Sequence, residues 1–179
     1  MAKRTFDLII ASLGIAALMP LAFIIAIGIK LDSPGPVIIS TRRVGRGGKI
    51  FPHYRFRTMA GEPLRKTRFG RFIGNLSLDD IPTLWNVIRG DLSLIGRRPE
   101  TPDKVDLADA DWQKVLSVKP GLSGLGLLTF LDRYNQTPIK DRIQPDVYYA
   151  KHQSLLFDMQ LMLRTLYWWL KTGHLKGRF

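Results

Sequence analysis

The apolar positions of this chain fall into one long unbroken run and several short periodic segments. From Leu8 to Ile29 there are 22 residues without a charge, preceded by Lys3 and Arg4 and followed by Lys30. As a straight helix at about 1.5 Å per residue that run would reach roughly 33 Å, enough to cross a hydrocarbon core. It is longer than the apolar part of a cleaved signal peptide, and the small residues from Ala26 to Gly28 make only a weak cleavage pattern. The cluster Asp32-Ser33-Pro34-Gly35-Pro36 is a turn that closes this element. Val37 to Thr41 then reads as a short strand. Ile50 to Thr58 interleaves Phe51, Tyr54 and Phe56 with His53, Arg55 and Arg57, the pattern of a half-buried strand with one cationic face. A helix is expected over Trp112 to Val118 and a final one from about Ser154 to Leu170. The final helix carries Tyr167, Trp168 and Trp169 near its end, with Lys171, His174, Lys176 and Arg178 behind them. That order suits a helix lying on an anionic leaflet, with a core helix as the alternative.

Two features bear on how the apolar run meets the membrane. Pro20 lies near its middle, where the missing backbone donor predicts a kink or a break. Basic residues flank both ends, and the positive-inside tendency would hold both on one side, which a single straight span cannot do. A re-entrant helix-break-helix satisfies that tendency; a Pro-kinked spanning helix is the competing reading. The chain accordingly divides into residues 1–31, a re-entrant membrane helix, and residues 32–179, a cytosolic and interfacial domain.

Composition narrows the class of partner. With 179 residues and 45% hydrophobic content the chain suits one core-forming unit with an appendage. Twenty-seven basic against 15 acidic residues leave a formal charge of +12, which points to anionic partners such as lipid headgroups, phosphorylated small molecules or nucleic acid. Aromatics interleaved with basic residues also occur in nucleic-acid binders, but no such motif accompanies them here and the membrane segment argues against nucleic acid. There is no cysteine, which excludes a disulfide framework and any thiolate metal site.

Candidate chemistry concentrates between Ser77 and Pro99, SLDDIPTLWNVIRGDLSLIGRRP. Asp79 and Asp80 follow the basic run Arg65, Lys66, Arg68 and Arg71 and precede Asp91 and the pair Arg97 and Arg98. Paired carboxylates among arginines suit a metal-assisted phosphate site: phosphoryl oxygens need cations, and a divalent cation needs hard carboxylate oxygens. The same residues fit a helix start, with Ser77 as N-cap, acids at the positive end of the dipole and Pro82 in the first turn. The two readings are compatible, since anions bind at helix N-termini. The glycine-rich basic loop Arg42 to Lys49 and the segment Lys119 to Gly126 are turn-rich and phosphate-friendly, but neither has a nucleotide-loop signature. His53 has no second histidine at ligand spacing and reads as structural or surface.

In order and spacing these residues resemble the bacterial sugar transferase family, the small monotopic polyprenyl-phosphate phosphoglycosyl transferases. The resemblance rests on Lys3-Arg4-Thr5-Phe6-Asp7, Pro20, Gly35-Pro36, Arg43-Val44-Gly45, Gly48 through Phe51, Phe56-Arg57-Thr58-Met59, and Ser77-Leu78-Asp79. It continues through Asn86, Gly90-Asp91, Arg98-Pro99, Lys119-Pro120-Gly121, Asp146 with Tyr148-Tyr149, and Asp158. It implies a mostly helical α/β enzyme of the bacterial inner membrane, on its cytoplasmic face, with a re-entrant helix, interfacial amphipathic helices and a small globule holding a short sheet element. It implies ping-pong transfer of a sugar-1-phosphate from a UDP-sugar to a membrane polyprenyl phosphate, with release of UMP, as the first membrane step of glycan assembly.

Carried over residue by residue, the resemblance makes Asp79 the nucleophile and Asp80 the holder of Mg²⁺. Arg98 becomes the main phosphate contact, Arg55 and Arg57 secondary ones, and Arg97 an added contact or a surface charge. Asp91 would support the metal or an arginine. The chain departs from the family pattern at Asp80 in place of Glu, Met19 before Pro20, Thr41 and Thr83 in place of Gln, Arg97 in place of Pro, and Leu125-Gly126-Leu127 in place of Trp-Ala-Gln. The alternative that the departures at Asp80 and Leu127 keep open is a non-catalytic basic membrane scaffold of a glycan-assembly complex. A conventional glycosyltransferase would differ from both by releasing UDP. Anionic lipids and a second copy of the chain are further expected partners.

Overall fold

A computed structural model describes residues 2–172; His174, Lys176 and Arg178 lie outside the described residues. The apolar run becomes part of one helix, α1 (Ala2–Asp32), which stays helical through Pro20. The expected break is therefore not present in the backbone: a proline removes one hydrogen bond, and the helical bonds on either side carry the chain past it.

The helix is tied to the rest of the chain at both ends. Its inward residues Asp7, Ala11, Ile25 and Ile29 fall on a helical stripe, and Gly14 lies on that stripe, where an added Cβ would meet Leu84 at 3.3 Å. The outward side is apolar and exposed, with Ile9, Leu13, Met19, Phe23, Ile24, Ile27 and Leu31. At the first turn, Lys3 Nζ donates to Ile95 O at 3.1 Å and pairs with buried Asp158 at 2.5 Å. Asp7 accepts the Leu94 amide. At the far end, Arg57 donates to the carbonyl of Ile29 in the last turn of the helix and to those of Ser33 and Pro34 just beyond it.

After the turn come β1 (Ile38–Val44) and β2 (Ile50–Phe56), an antiparallel ribbon in which Thr41 faces His53 and Arg43 faces Phe51. The basic loop expected at 42–49 is shorter than anticipated: Arg42 to Val44 extend β1, and a single tight turn at Arg46–Gly48 reverses the chain. A small hairpin follows, β3 (Met59–Ala60) and β4 (Arg65–Lys66), then α2 (Arg68–Asn75), capped by Thr67, whose hydroxyl accepts the Gly70 amide. Ser77 does not cap a helix. It sits in the left-handed region at φ 58°, with no side-chain capping bond, and leads into a single 3-10 turn, Leu78–Asp80. The helix proper, α3 (Thr83–Arg89), begins only after Pro82 and stops at Gly90, whose φ of 89° closes it. Arg4 donates to the Val87 and Ile88 carbonyls at that end.

The second half builds a parallel two-stranded element. β5 (Ser93–Ile95) pairs with β6 (Gly121–Ser123) across the intervening α4 (Ala110–Leu116). Here the segment expected to be phosphate-friendly is used for backbone pairing: Gly121 N donates to Arg97 O, and Gly96 N to Ser123 O. A Cβ at Gly96 would lie 2.3 Å from Lys119 O, which explains a glycine there. Then come α5 (Leu125–Phe130), α6 (Ile139–Arg142), α7 (Gln144–His152) and α8 (Leu155–Thr172). Asp146 belongs to α7, ahead of the final helix. Helix α8 buries Asp158 and Leu161 and turns Leu156, Met159, Leu163, Leu166, Tyr167 and Leu170 outward. The whole is mostly helical with small sheets, an α/β arrangement. Its main core joins Ala11 of α1 to Val87, Leu92, Ile95, Tyr149 and Leu161.

Candidate functional site

The ribbon β1–β2 has two chemically different faces because successive side chains alternate across a strand. Ile38, Tyr54 and Phe56 face one way and help line an apolar groove of about 450 Å³ with Ile15, Met19 and Trp85. Arg43, His53 and Arg55 face the other way and line a polar cleft with Asp80, Arg98, Pro99, Gly121 and Leu122. The Leu78–Asp80 turn brings the carboxylates to that cleft. Leu78 and Ile81 pack into the apolar cluster of Ile25, Ile29, Phe56 and Ile73, which pins the turn from below.

Arg55 spans the two carboxylates. Its Nε donates to Asp80 Oδ1 at 2.7 Å, and its Nη2 donates to Asp79 Oδ2. Asp79 is almost fully buried beneath Arg55, while the side chain of Asp80 is 28% exposed. Burial alone would lower the Arg55 pKa; the charges of Asp80 and Asp79 outweigh it and hold it above its ordinary value. Arg43 goes the other way. Burial lowers it, Glu100 offsets part of that, and neighbouring Arg98 and Arg55 lower it further. Three guanidiniums crowding one cleft is an arrangement stabilised by a bound anion.

The structure separates the other expected site residues from the cleft. Arg57 is committed to the end of α1, as described above. Arg97 is 1% exposed and donates to the carbonyls of Val44, Gly45 and Arg98, so it joins the β1 end to the β5 end and adds neither a phosphate contact nor a surface charge. Burial lowers its pKa to about 10, against the pull of Asp146 and Glu100. Asp91 pairs with Arg89 at 3.3 Å and accepts from Asn86 Nδ2 at 3.2 Å, at the end of α3. Of the seven expected residues, Asp79, Asp80, Arg55 and Arg98 come together.

Two members of the cleft were not expected from the sequence. Arg43 and His53 reach it through hairpin register, which places Arg43, His53 and Arg55 on one side. The signal for His53 was its two-residue spacing from Arg55. Among the described residues no group of three or more His, Cys, Asp or Glu side chains is placed to hold a metal. Asp80, with Asp79 beside it, nonetheless fits a Mg²⁺ ion, which usually takes one or two carboxylates and completes its shell with substrate phosphates and water.

Fold and cleft together define a membrane-associated α/β protein with an arginine-lined cleft built on paired carboxylates. The bacterial sugar transferase family model matches residues 1–172, and the chain belongs to that family. It is 34% identical over 179 residues to the UDP-N-acetylgalactosamine-undecaprenyl-phosphate N-acetylgalactosaminephosphotransferase of Aeromonas hydrophila, covering 92% of this chain and 42% of the relative. It is 35% identical over 182 residues to the UDP-glucose:undecaprenyl-phosphate glucose-1-phosphate transferase of Caulobacter vibrioides, covering 92% and 68%. Identity to the exopolysaccharide production protein ExoY of Sinorhizobium fredii is 31% over 191 residues, covering 92% and 83%. The chain thus spans about two fifths of the Aeromonas relative and most of ExoY.

Proposed function

We propose that the protein transfers a sugar-1-phosphate from a UDP-sugar to a membrane polyprenyl phosphate, through a covalent intermediate on Asp79. The observation that carries this reading is the pair Asp79 and Asp80 held by Arg55 in a cleft shared with Arg43 and Arg98. In the first step a carboxylate oxygen of Asp79 bonds to the β-phosphorus, and the bond from that phosphorus to the bridging oxygen breaks. UMP leaves with the bridging oxygen. In the second step an oxygen of the polyprenyl phosphate attacks the same phosphorus, the bond to Asp79 breaks, and the carboxylate is regenerated. The product is a polyprenyl-diphosphate sugar.

A carboxylate is a weak nucleophile, so the phosphoryl group must be made more electrophilic. Arg43 and Arg98 neutralise its oxygens from the cleft wall. Arg55 is released from Asp79 as a phosphate presents its own oxygens, so the same arginine serves both states. A Mg²⁺ ion held by Asp80 would supply further charge neutralisation on the diphosphate.

The apolar surfaces support a lipid acceptor. The groove contains Ile81 and Pro82, directly after Asp80 in sequence, together with Ile15 and Met19 of the membrane helix. Because both ends of α1 are fastened to one globule, the helix is best read as dipping into a single leaflet of the inner membrane, with the globule on the cytoplasmic face. The outward stripe of α8 would lie on the same surface.

The test is to incubate the purified protein with Mg²⁺, undecaprenyl phosphate and a panel of UDP-sugars and to identify the free nucleotide. UMP is expected, together with a sugar-phosphate adduct that Asp79→Asn abolishes. UDP as the product, or an adduct that survives in Asp79→Asn, overturns the mechanism. Cysteines at Ala2 and Lys151 should label from the same membrane side; labelling from opposite sides overturns the single-leaflet reading.

A further inference from the structure

We propose that Tyr134 is a positioning residue, whose ring holds the Arg98 guanidinium at the wall of the cleft with its donors free for a phosphate. The inference rests on the reading of the cleft as a nucleotide-sugar site. Arg98 is half-buried, and its guanidinium carbon lies 5.3 Å from the centre of the Tyr134 ring. Among the described residues that guanidinium makes no hydrogen bond or ion pair with protein. Its orientation is therefore set by the ring contact and leaves the planar donor fork available, the geometry that grips two phosphate oxygens.

The ring is itself fixed. Tyr134 is 3% exposed, and the Arg142 guanidinium lies 4.9 Å from the same ring centre. Arg142 is in turn held by Glu100 at 2.9 Å and donates to the Tyr134 carbonyl at 3.4 Å. Glu100 follows Pro99 and accepts the Val44 amide through its carbonyl, so its backbone is anchored to the strand that carries Arg43. A buried ion pair thus stands behind a buried ring, and the ring stands behind an otherwise unbonded arginine of the cleft. Burial holds the Tyr134 phenol far above its ordinary pKa, so the ring stays neutral with its face available to the two cations.

UDP binding tests this, measured by calorimetry on the full chain in detergent. Tyr134→Leu should weaken UDP binding about tenfold, the scale of one cation-ring contact away from bulk water. Tyr134→Phe keeps the ring face and should restore binding to within about twofold. In an Arg98→Ala background, Tyr134→Leu should have no further effect, because the contact it removes is already gone. Equal weakening with and without Arg98, or unchanged binding in Tyr134→Leu, overturns the inference, whatever happens to thermal stability. The nucleotide-release assay is independent: a chain that yields no UMP but shows the non-additive UDP cycle refutes the proposed reaction and upholds Tyr134. Absence of UDP binding by the unsubstituted chain counts against both.

Discussion

The fastening of the membrane helix can be weakened at one atom. Lys3 places its ammonium 2.5 Å from Asp158, which is 1% exposed and also accepts from Tyr149 Oη at 2.5 Å. Lys3→Met keeps the stem and removes the charge, leaving a buried carboxylate with the tyrosine hydroxyl but without its cation. Breaking a buried pair from one side costs about 3 to 5 kcal/mol. Lys3 keeps about a quarter of its side chain in solvent and Tyr149 stays in place, so the lower end applies, about 3 kcal/mol. For a chain of this size that corresponds to roughly 6 to 12 °C in apparent melting temperature, read by intrinsic fluorescence in detergent. Adding Asp158→Leu removes the stranded charge, while Tyr149 retains Ile95 O at 3.1 Å, so the double variant should recover much of the loss. A Lys3→Met shift below about 2 °C, or a double variant that loses the sum of the singles, refutes the claim that this pair secures the first turn of α1.

Asp146 gives a second, pH-dependent test. Burial pushes its pKa up to about 7, against the Gly126 amide and the Arg97 charge, which favour the ionised form. The folded chain therefore keeps a proton that the unfolded chain releases near pH 3.8, and stability falls as pH rises from about 4 to about 7, then levels. The full effect is on the order of 4 kcal/mol. Asp146→Asn should flatten that slope in urea unfolding at several pH values, and parallel curves for the two proteins would count against it. Arg43→Gln removes one of three guanidiniums from the cleft and should raise the KM for the UDP-sugar about tenfold, a loss of about 1.4 kcal/mol in anion binding. An unchanged KM would remove Arg43 from the site.

The long apolar helix, the ribbon with one cationic face and the carboxylate pair among arginines were all legible in the chain, because each is written in local order: period, alternation and adjacency. Family membership was legible for the same reason, through short motifs kept in sequence. What local order left open was which arginine does what. Arg55, Arg57, Arg97 and Arg98 look alike in the chain, yet one spans the two carboxylates, two satisfy backbone carbonyls, and one rests on a ring. Those fates depend on where helix ends and strand ends leave acceptors unpaired, and only packing brings such ends together. Hairpin register likewise carried Arg43 and His53 into the cleft, and Lys3 with Asp158, 155 residues away, at one end and Arg57 at the other drew the apolar helix onto one globule. The sequence determined the chemistry that was available; the tertiary structure decided which charges were used to hold the fold and which were left to meet a ligand.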